Sequence, residues 1–241
     1  LTDTYEQIFD SLGIPPGGAA GTTSLPENWR VDAKETVRTL GTWSTSGTMT
    51  TRNGGDNVPN TNGIYNFGSP TRAGADSTDR SIGFYGNNSG TVSGNLYAQF
   101  QNRTGKELVS LQLSYDVENF RNGTVEGGTA FQLYYSLDGE NWVSAGENFY
   151  TVYSGAETAG GFNPAPGASV TVNDILTFGT PIAEDATFYL AWNYSNAISD
   201  SAGSGYALAI NNFVAVVPEP GTTALLLVPA ALAGYVLRRH R

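Results

Sequence analysis

The chain has 241 residues, with 12 Lys and Arg against 22 Asp and Glu, so its formal net charge is -10. It contains no Cys, and its one His, His240, lies next to the C-terminus. Catalytic triads that need His or Cys are therefore excluded from the body of the chain, as are zinc, haem and iron–sulfur sites with their usual ligands. The acidic balance also argues against a nucleic-acid partner.

The body of the chain is predicted to be all β, because apolar and polar residues alternate along several short segments. In the best of them Leu111, Leu113, Tyr115 and Val117 share one face. No sustained helical period precedes residue 221. The predicted strands, in chain order, are 37–43, 80–85, 96–101, 111–117, 131–135, 168–176, 187–194 and 205–216.

Gly-containing turns are predicted at Asn53-Gly54-Gly55, Asn87-Asn88-Ser89-Gly90, Asn122-Gly123 and Asp138-Gly139. Such residues supply the left-handed backbone that tight turns require. Many short strands joined in this way predict a two-sheet antiparallel β-sandwich of jelly-roll type. Because the Pro-rich pieces at 15–18 and 163–167 are short, we predict one domain over 1–217, with two domains as the alternative.

The polar residues of three predicted strands are candidates for a glycan-binding surface. Carbohydrates bind to amides and carboxylates through their hydroxyls, and they stack their C–H faces on aromatic rings. If the strands are neighbours, one sheet face carries all of these groups; a solvated outer face is the alternative interpretation. The candidates are Tyr97, Gln99, Gln112, Asp116, Glu118, Gln132 and Tyr134.

A second hypothesis makes the protein a polysaccharide hydrolase. Asp116 and Glu118 lie two residues apart on one strand, so they point the same way about 7 Å apart. That spacing suits an acid and a base at a glycosidic bond. The segment resembles the acidic strand of laminarinase-like hydrolases, but Ser114 and Arg121 stand where two of their carboxylates would be.

The segment Ser136-Leu-Asp138-Gly139-Glu-Asn-Trp142 predicts a tight hairpin. It resembles a shortened form of the Asp-box of secreted β proteins. We expect Asp138 to close the turn with backbone hydrogen bonds, and Trp142 to pack beneath it. Its role is therefore structural.

The alternation of apolar and polar residues distinguishes core Trp residues from exposed ones. Trp192 alternates with Phe188, Leu190 and Tyr194, which predicts a core position. Trp29 and Trp43 lie in less regular stretches and are predicted to be the more exposed stacking candidates.

Calcium is the one cofactor that the sequence leaves open, since it accepts oxygen ligands from loops. The candidates are Asp200 in a polar loop and Asp174 near a strand end. A tight site usually needs more carboxylates, so the alternative is that the protein has no cofactor.

The C-terminal segment has a distinct composition. Residues 221–237 carry no charge and are long enough for a short transmembrane helix, and a basic tail that includes Arg238 and Arg239 follows. Immediately before them stands Pro218-Glu219-Pro220. These three parts, over 218–241, resemble the PEP-CTERM sorting signal of Gram-negative bacteria that make exopolysaccharide.

This resemblance implies that the tail anchors the protein transiently in the inner membrane, until an exosortase processes it. The start of the chain, Leu1-Thr2-Asp3, shows no signal peptide, so we expect an export signal to have preceded it. The body resembles a secreted bacterial jelly-roll module without a settled activity. That likeness rests on Leu25-Pro-Glu-Asn-Trp29, Tyr115-Asp-Val-Glu-Asn-Phe-Arg121, Ala207-Leu-Ala-Ile-Asn-Asn-Phe213 and similar phrases.

Together these features predict an exported, non-enzymatic protein of the cell surface or extracellular matrix that associates with exopolysaccharide. Two alternatives remain. One is the hydrolase centred on Asp116 and Glu118, and the other is a structural matrix protein that self-associates through its strand edges.

Overall fold

The structure, a computed structural model, describes residues 1–12, 20–44, 48–54, 61–68, 79–87, 90–156, 158–160, 167–197 and 203–219. Within these residues the chain forms strands and two short 3-10 turns, Asp10–Leu12 and Glu147–Phe149. The strands are β1 (Thr4–Gln7), β2 (Ala20–Ser24), β3 (Trp29–Lys34), β4 (Thr48–Gly54), β5 (Gly63–Phe67), β6 (Ser81–Asn87), β7 (Ser93–Gln101), β8 (Leu108–Arg121), β9 (Thr129–Ser136), β10 (Val143–Ser144), β11 (Tyr150–Tyr153), β12 (Ser169–Ile182), β13 (Thr187–Asn196) and β14 (Ser204–Val216).

Two sheets form a β-sandwich, which confirms the predicted fold class. The eight-stranded sheet has the order β12-β8-β14-β6-β5-β4-β2, with β1 added to β14. The six-stranded sheet has the order β10-β9-β13-β7-β3, with β11 added to β9. All pairs are antiparallel except β4 with β5, which is parallel.

The core lies between the sheets and follows the predicted alternation. Leu111 and Leu113 of β8 are fully buried, as are Phe188 and Trp192 of β13. Residues of the opposite parity point to the outer faces, because successive side chains of a strand alternate. The exposed side chains of the strands therefore lie on the two outer faces.

Trp29 is not exposed, so that prediction is wrong. Its side chain is 1% exposed, and its ring stacks on Trp192 with the centroids 5.5 Å apart. The indole N–H also donates to the Tyr5 hydroxyl (2.7 Å). The reason is that β3 pairs with β7 in the six-stranded sheet, which points Trp29 into the core.

Two local predictions also fail. The segment 37–43 is not a strand: residues 35–44, which we call the strap, leave β3 and cross the outer face of the six-stranded sheet without joining it. Asn53 and Gly54 do not form a turn, because they are the last residues of β4 and pair with Asn66 and Phe67 of β5.

The last strand ends at Val216, and the N–H of Val217 donates to the Asp3 carbonyl (2.8 Å). Among the described residues, no helix is long and apolar enough to cross a membrane. Pro220, the apolar segment 221–237, Arg238 and Arg239 lie outside the described residues, so the division at 217 stays a prediction.

Candidate functional site

The structure divides the candidate glycan-binding residues between two faces. Strand β8, with Gln112 and Asp116, belongs to the eight-stranded sheet, whereas β7 and β9 belong to the six-stranded sheet. Within that sheet β13 separates β7 from β9. The condition for a single face with all seven residues, that the three strands be neighbours, is therefore not met. Tyr97, Gln99, Gln132 and Tyr134 share one outer face, without Gln112, Asp116 or Glu118.

The strap covers the middle of the six-stranded sheet's outer face. Its backbone is bound by polar side chains of β7 and β13. The N–H of Arg38 donates to Ser195 Oγ (2.8 Å), and the Thr39 carbonyl accepts from Asn95 (3.0 Å) and Asn193 (3.3 Å). These polar residues would otherwise be a solvated surface, and they are buried because the strap supplies their partners.

Tyr97 lies beneath the strap and is 1% exposed. Its hydroxyl accepts from the Gly41 N–H (2.8 Å) and donates to the Asp32 carboxylate (3.1 Å). Burial, followed by the negative charge of Asp32, raises the pKa of Tyr97 above its usual range. This ring therefore holds the strap in place and is not free to stack on a sugar.

A half-exposed aromatic platform stands at one end of the strap, and Trp43 is its centre. The Tyr189 ring lies 5.4 Å from Trp43, and the Arg30 guanidinium lies 4.9 Å from the Trp43 ring centroid. Gln99 donates to the Tyr189 hydroxyl (3.0 Å). We call Arg30, Trp43, Gln99 and Tyr189 the first platform; Trp43 is partly exposed, as predicted.

A second platform stands at the other end of the strap. Tyr150 of β11 is 36% exposed and pairs directly with Gln132 of β9. The Arg38 guanidinium lies 6.0 Å from the Tyr150 ring centroid. Tyr134 is half-buried two residues along β9 from Gln132 and so points to the same face. The second platform is thus Arg38, Gln132, Tyr134 and Tyr150.

The sequence did not single out Tyr189, Tyr150, Arg30 or Arg38. Tyr189 carried a usable signal, because it alternates with the core residues Phe188 and Leu190 and must point outward. The two arginines carried none, since their place on this face depends on the path of the strap.

The Asp138 hairpin is built as predicted. The Asp138 carboxylate accepts from the N–H groups of Glu140 (2.9 Å) and Asn141 (2.8 Å), and Gly139 has a φ of +79°. The Asn141 side chain also donates to the Asp138 carboxylate. This hydrogen bond is the largest cause, and the backbone hydrogen bonds the next, of a pKa of Asp138 that lies well below its usual range. Trp142 donates from its indole N–H to the Gly41 carbonyl (2.8 Å), so the hairpin also supports the strap.

The outer face of the eight-stranded sheet carries a polar ladder across β8 and its neighbours. Asp116 accepts from Thr171 Oγ1 (2.6 Å) and Asn212 Nδ2 (2.8 Å), and Gln112 donates to Asn173 (2.6 Å). These side chains satisfy one another across the strands. The ladder contains no aromatic ring among the residues named, so it lacks the stacking component of a sugar site.

Glu118 is 6% exposed and accepts a hydrogen bond from Asn211 (3.3 Å). Burial raises its pKa to about 7, and the negative charges of Asp79 and Asp116 act in the same direction. A carboxyl group with a raised pKa suits the role of a general acid. The carboxyl group of Glu118 is nevertheless covered, and the hydrolase stays a prediction.

The calcium hypothesis also stays a prediction. Asp174 lies in the middle of β12, not near its end, and its carboxylate accepts from the Ile175 N–H (2.6 Å). Asp200 lies outside the described residues. In the part of the chain that the structure describes, no three Asp, Glu, His or Cys side chains form a group that could hold a metal ion.

No protein-family model matches this chain, and no curated protein matches it. Solved structures are similar in fold. The K2 cleaved adhesin domain of Lys-gingipain is 13% identical, with a TM-score of 0.44, over 89% of this chain and 98% of that chain.

Two further similar structures are carbohydrate-binding modules. TmCBM61, solved with β-1,4-galactotriose, is 8% identical with a TM-score of 0.32, over 88% of this chain and 94% of that chain. CBM32-1 from a family 31 glycoside hydrolase of Clostridium perfringens is 15% identical with a TM-score of 0.29, over 79% of this chain and 96% of that chain. At these identities and scores the likeness is one of fold alone.

Proposed function

We propose that this protein is a non-enzymatic glycan-binding protein whose binding surface is the outer face of the six-stranded sheet. One observation carries the proposal: half-exposed aromatic rings stand at both ends of the strap, each beside an amide side chain. Rings accept the apolar faces of sugars, and amides pair with their hydroxyls. The polar ladder of the opposite face supports only the hydroxyl contacts.

The backbone of the first platform is anchored, and this bears on the design of a test. The Trp43 N–H donates to the Gly139 carbonyl (2.8 Å), so the backbone of the first platform is fixed to the Asp138 hairpin. A ring held in this way loses little conformational entropy on binding. Trp43 is therefore the residue whose removal should cost the most affinity.

The test is affinity electrophoresis of the full chain, in mild detergent, through gels that contain soluble polysaccharides, including the producer's own exopolysaccharide. We expect at least one polysaccharide to retard the wild type and Trp43→Ala to lower the affinity about tenfold or more. The matched control is Ile175→Ala, an exposed apolar residue on the other sheet, which should bind as the wild type does. Equal binding by Trp43→Ala, or no retardation by any polysaccharide, refutes the proposal.

Sugar release is measured in the same samples, because it separates binding from hydrolysis. We expect none. Release that Glu118→Gln abolishes would replace the proposal with the hydrolase of Asp116 and Glu118. Sedimentation without glycan tests self-association: assembly at strand edges would favour the structural matrix protein.

We further propose that the protein is exported and sorted at the cell surface by an exosortase. The support is the order of Pro218-Glu219-Pro220, the uncharged segment 221–237 and Arg238 with Arg239. Cells with an exosortase should release a shortened protein, whereas cells without it should keep the full chain in the inner membrane. Release that is independent of the exosortase would contradict this proposal.

A further inference from the structure

Two cations of the strap face, Arg30 and Arg38, form no ion pair with an acidic side chain of the described residues, although acidic residues outnumber basic ones in this chain. Among the described residues the ion pairs are Lys34 with Asp32 and Arg103 with Asp185. The Arg30 guanidinium instead donates to the backbone carbonyls of Ser44 (2.8 Å) and Trp29 (2.5 Å). Arg38 is exposed and lies over the Tyr150 ring. Among the described residues, no carboxylate therefore pairs with either guanidinium group on this face.

Each of these arginines belongs to a different platform. Arg30 lies 4.9 Å from the Trp43 centroid and Arg38 lies 6.0 Å from the Tyr150 centroid. A guanidinium group pairs with a carboxylate through two parallel hydrogen bonds, which is the geometry that favours Arg over Lys. Ring and guanidinium together therefore suit a sugar that carries a carboxylate.

The separation of the platforms sets the size of the ligand. Gln132 of the second platform pairs with Asn193, which lies four residues along β13 from Tyr189 of the first, so the platforms are about 13 Å apart along the strand direction. A single sugar cannot contact both platforms at such a distance, whereas an oligosaccharide can. Charges repeated along a polymer would meet both guanidinium groups.

We propose that the ligand of the strap face is an anionic polysaccharide with carboxylate groups, such as a polyuronate, lying along the strap from one platform to the other. This inference rests on the proposed glycan-binding function and names its substrate class. The net negative charge of the protein disfavours non-specific adhesion of such a polymer, so binding depends on these two arginines.

The experiment compares polygalacturonate with its fully methyl-esterified form, which keeps the same sugar backbone and lacks the carboxylate charge, by calorimetry with the full chain in mild detergent. We expect polygalacturonate to bind at least tenfold more tightly than the ester. Arg38→Gln should lower the affinity for polygalacturonate about tenfold and leave the affinity for the ester unchanged. Arg30→Gln should act in the same direction, with Arg30→Lys retaining only part of the affinity.

The matched control is Lys106→Gln, which makes the same change of charge at an exposed residue of the β7–β8 turn and should bind as the wild type does. Trp43→Ala should weaken binding of both polymers. If polygalacturonate and its ester bind equally well, the proposal of an anionic ligand is wrong, whereas the proposed glycan-binding function stands. The same conclusion follows if a neutral polysaccharide retards the protein and polygalacturonate does not bind. If no polysaccharide binds, both the anionic ligand and the glycan-binding function are overturned.

Discussion

The backbone N–H of Gly41 and the hydroxyl of Tyr97 lie 2.8 Å apart, and this hydrogen bond fixes the strap to the six-stranded sheet. The same hydroxyl donates to Asp32, which also accepts from Asn95 (2.6 Å). One phenol thus joins the strap, β3 and β7. The two platforms keep their spacing because the strap between them is held by such contacts.

Tyr97→Phe should destabilise the protein by about 1–3 kcal/mol, because it leaves the Gly41 N–H and one Asp32 contact without their buried partner. Hydrogen exchange at the strap amides should also become faster. Urea unfolding and amide exchange measure the two effects. Tyr134→Phe, a half-buried residue of the same face, is the control; an equal loss in both variants would contradict the role of Tyr97.

Glu118→Gln should change how stability depends on pH. The pKa of Glu118 is about 7 in the folded chain, against an ordinary value of 4.5 that applies to the unfolded chain, so between these values the folded state binds more protons. The free energy of unfolding should therefore fall as the pH rises from 4.5 to about 7, by roughly 3 kcal/mol, and then level off. The variant lacks this slope.

Urea unfolding at about pH 4 and about pH 8 measures the slope of each variant. At the higher pH the free energy of unfolding of Glu118→Gln should rise relative to that of the wild type. The control Glu107→Gln, at an exposed glutamate, should show the same pH dependence as the wild type. Parallel pH profiles of wild type and Glu118→Gln would show that burial does not raise this pKa.

Asp138→Ala should lower the melting temperature by several degrees and lower glycan affinity much less than Trp43→Ala does. The carboxylate closes the hairpin through the N–H groups of Glu140 and Asn141, which lose their partner in the variant. Glu140→Ala, in the same exposed hairpin, is the control for loss of a carboxylate. A loss of affinity as large as that of Trp43→Ala would assign Asp138 to the binding surface.

Gly83→Ala should destabilise the protein by about 3 kcal/mol or more. A Cβ at this position would lie 2.0 Å from the Leu208 carbonyl oxygen and 2.5 Å from the Ala209 Cα, so β6 would have to move away from β14. Gly167→Ala, whose Cβ would stand 3.4 Å from the nearest atom, is the control. Similar melting temperatures for the two variants would mean that β6 shifts at little cost.

Much of the core could be predicted from sequence, because alternation identifies inward residues without knowledge of the strand order. Leu111 and Leu113 of β8 and Phe188 and Trp192 of β13 were identified in this way, and all four are buried. The Asp138 hairpin was also predictable, since its hydrogen bonds are local. Trp29 was missed although a usable signal was present, because Trp29, Val31 and Ala33 alternate with the polar residues of the short strand β3.

The candidate site could be predicted only in part. Strand order is set by pairing between distant segments, so nothing in the sequence of β8 shows that it lies in the other sheet from β7 and β9. The strap was missed for the same reason. Its Leu40 and Trp43 resemble strand residues, whereas its partners Ser195 and Asn193 lie far along the chain.

The strap also constrains the order in which the chain acquires its structure. The hydrogen bond from Arg38 to Ser195 joins positions 157 residues apart, and the strap further needs Asn95, Tyr97 and Gly139. Contacts of such sequence separation form late, because a long loop must close first. As the chain is synthesised, the strap segment must wait for β13 to emerge before it can dock. A nascent chain that stops short of Ser195 would therefore leave both platforms unassembled.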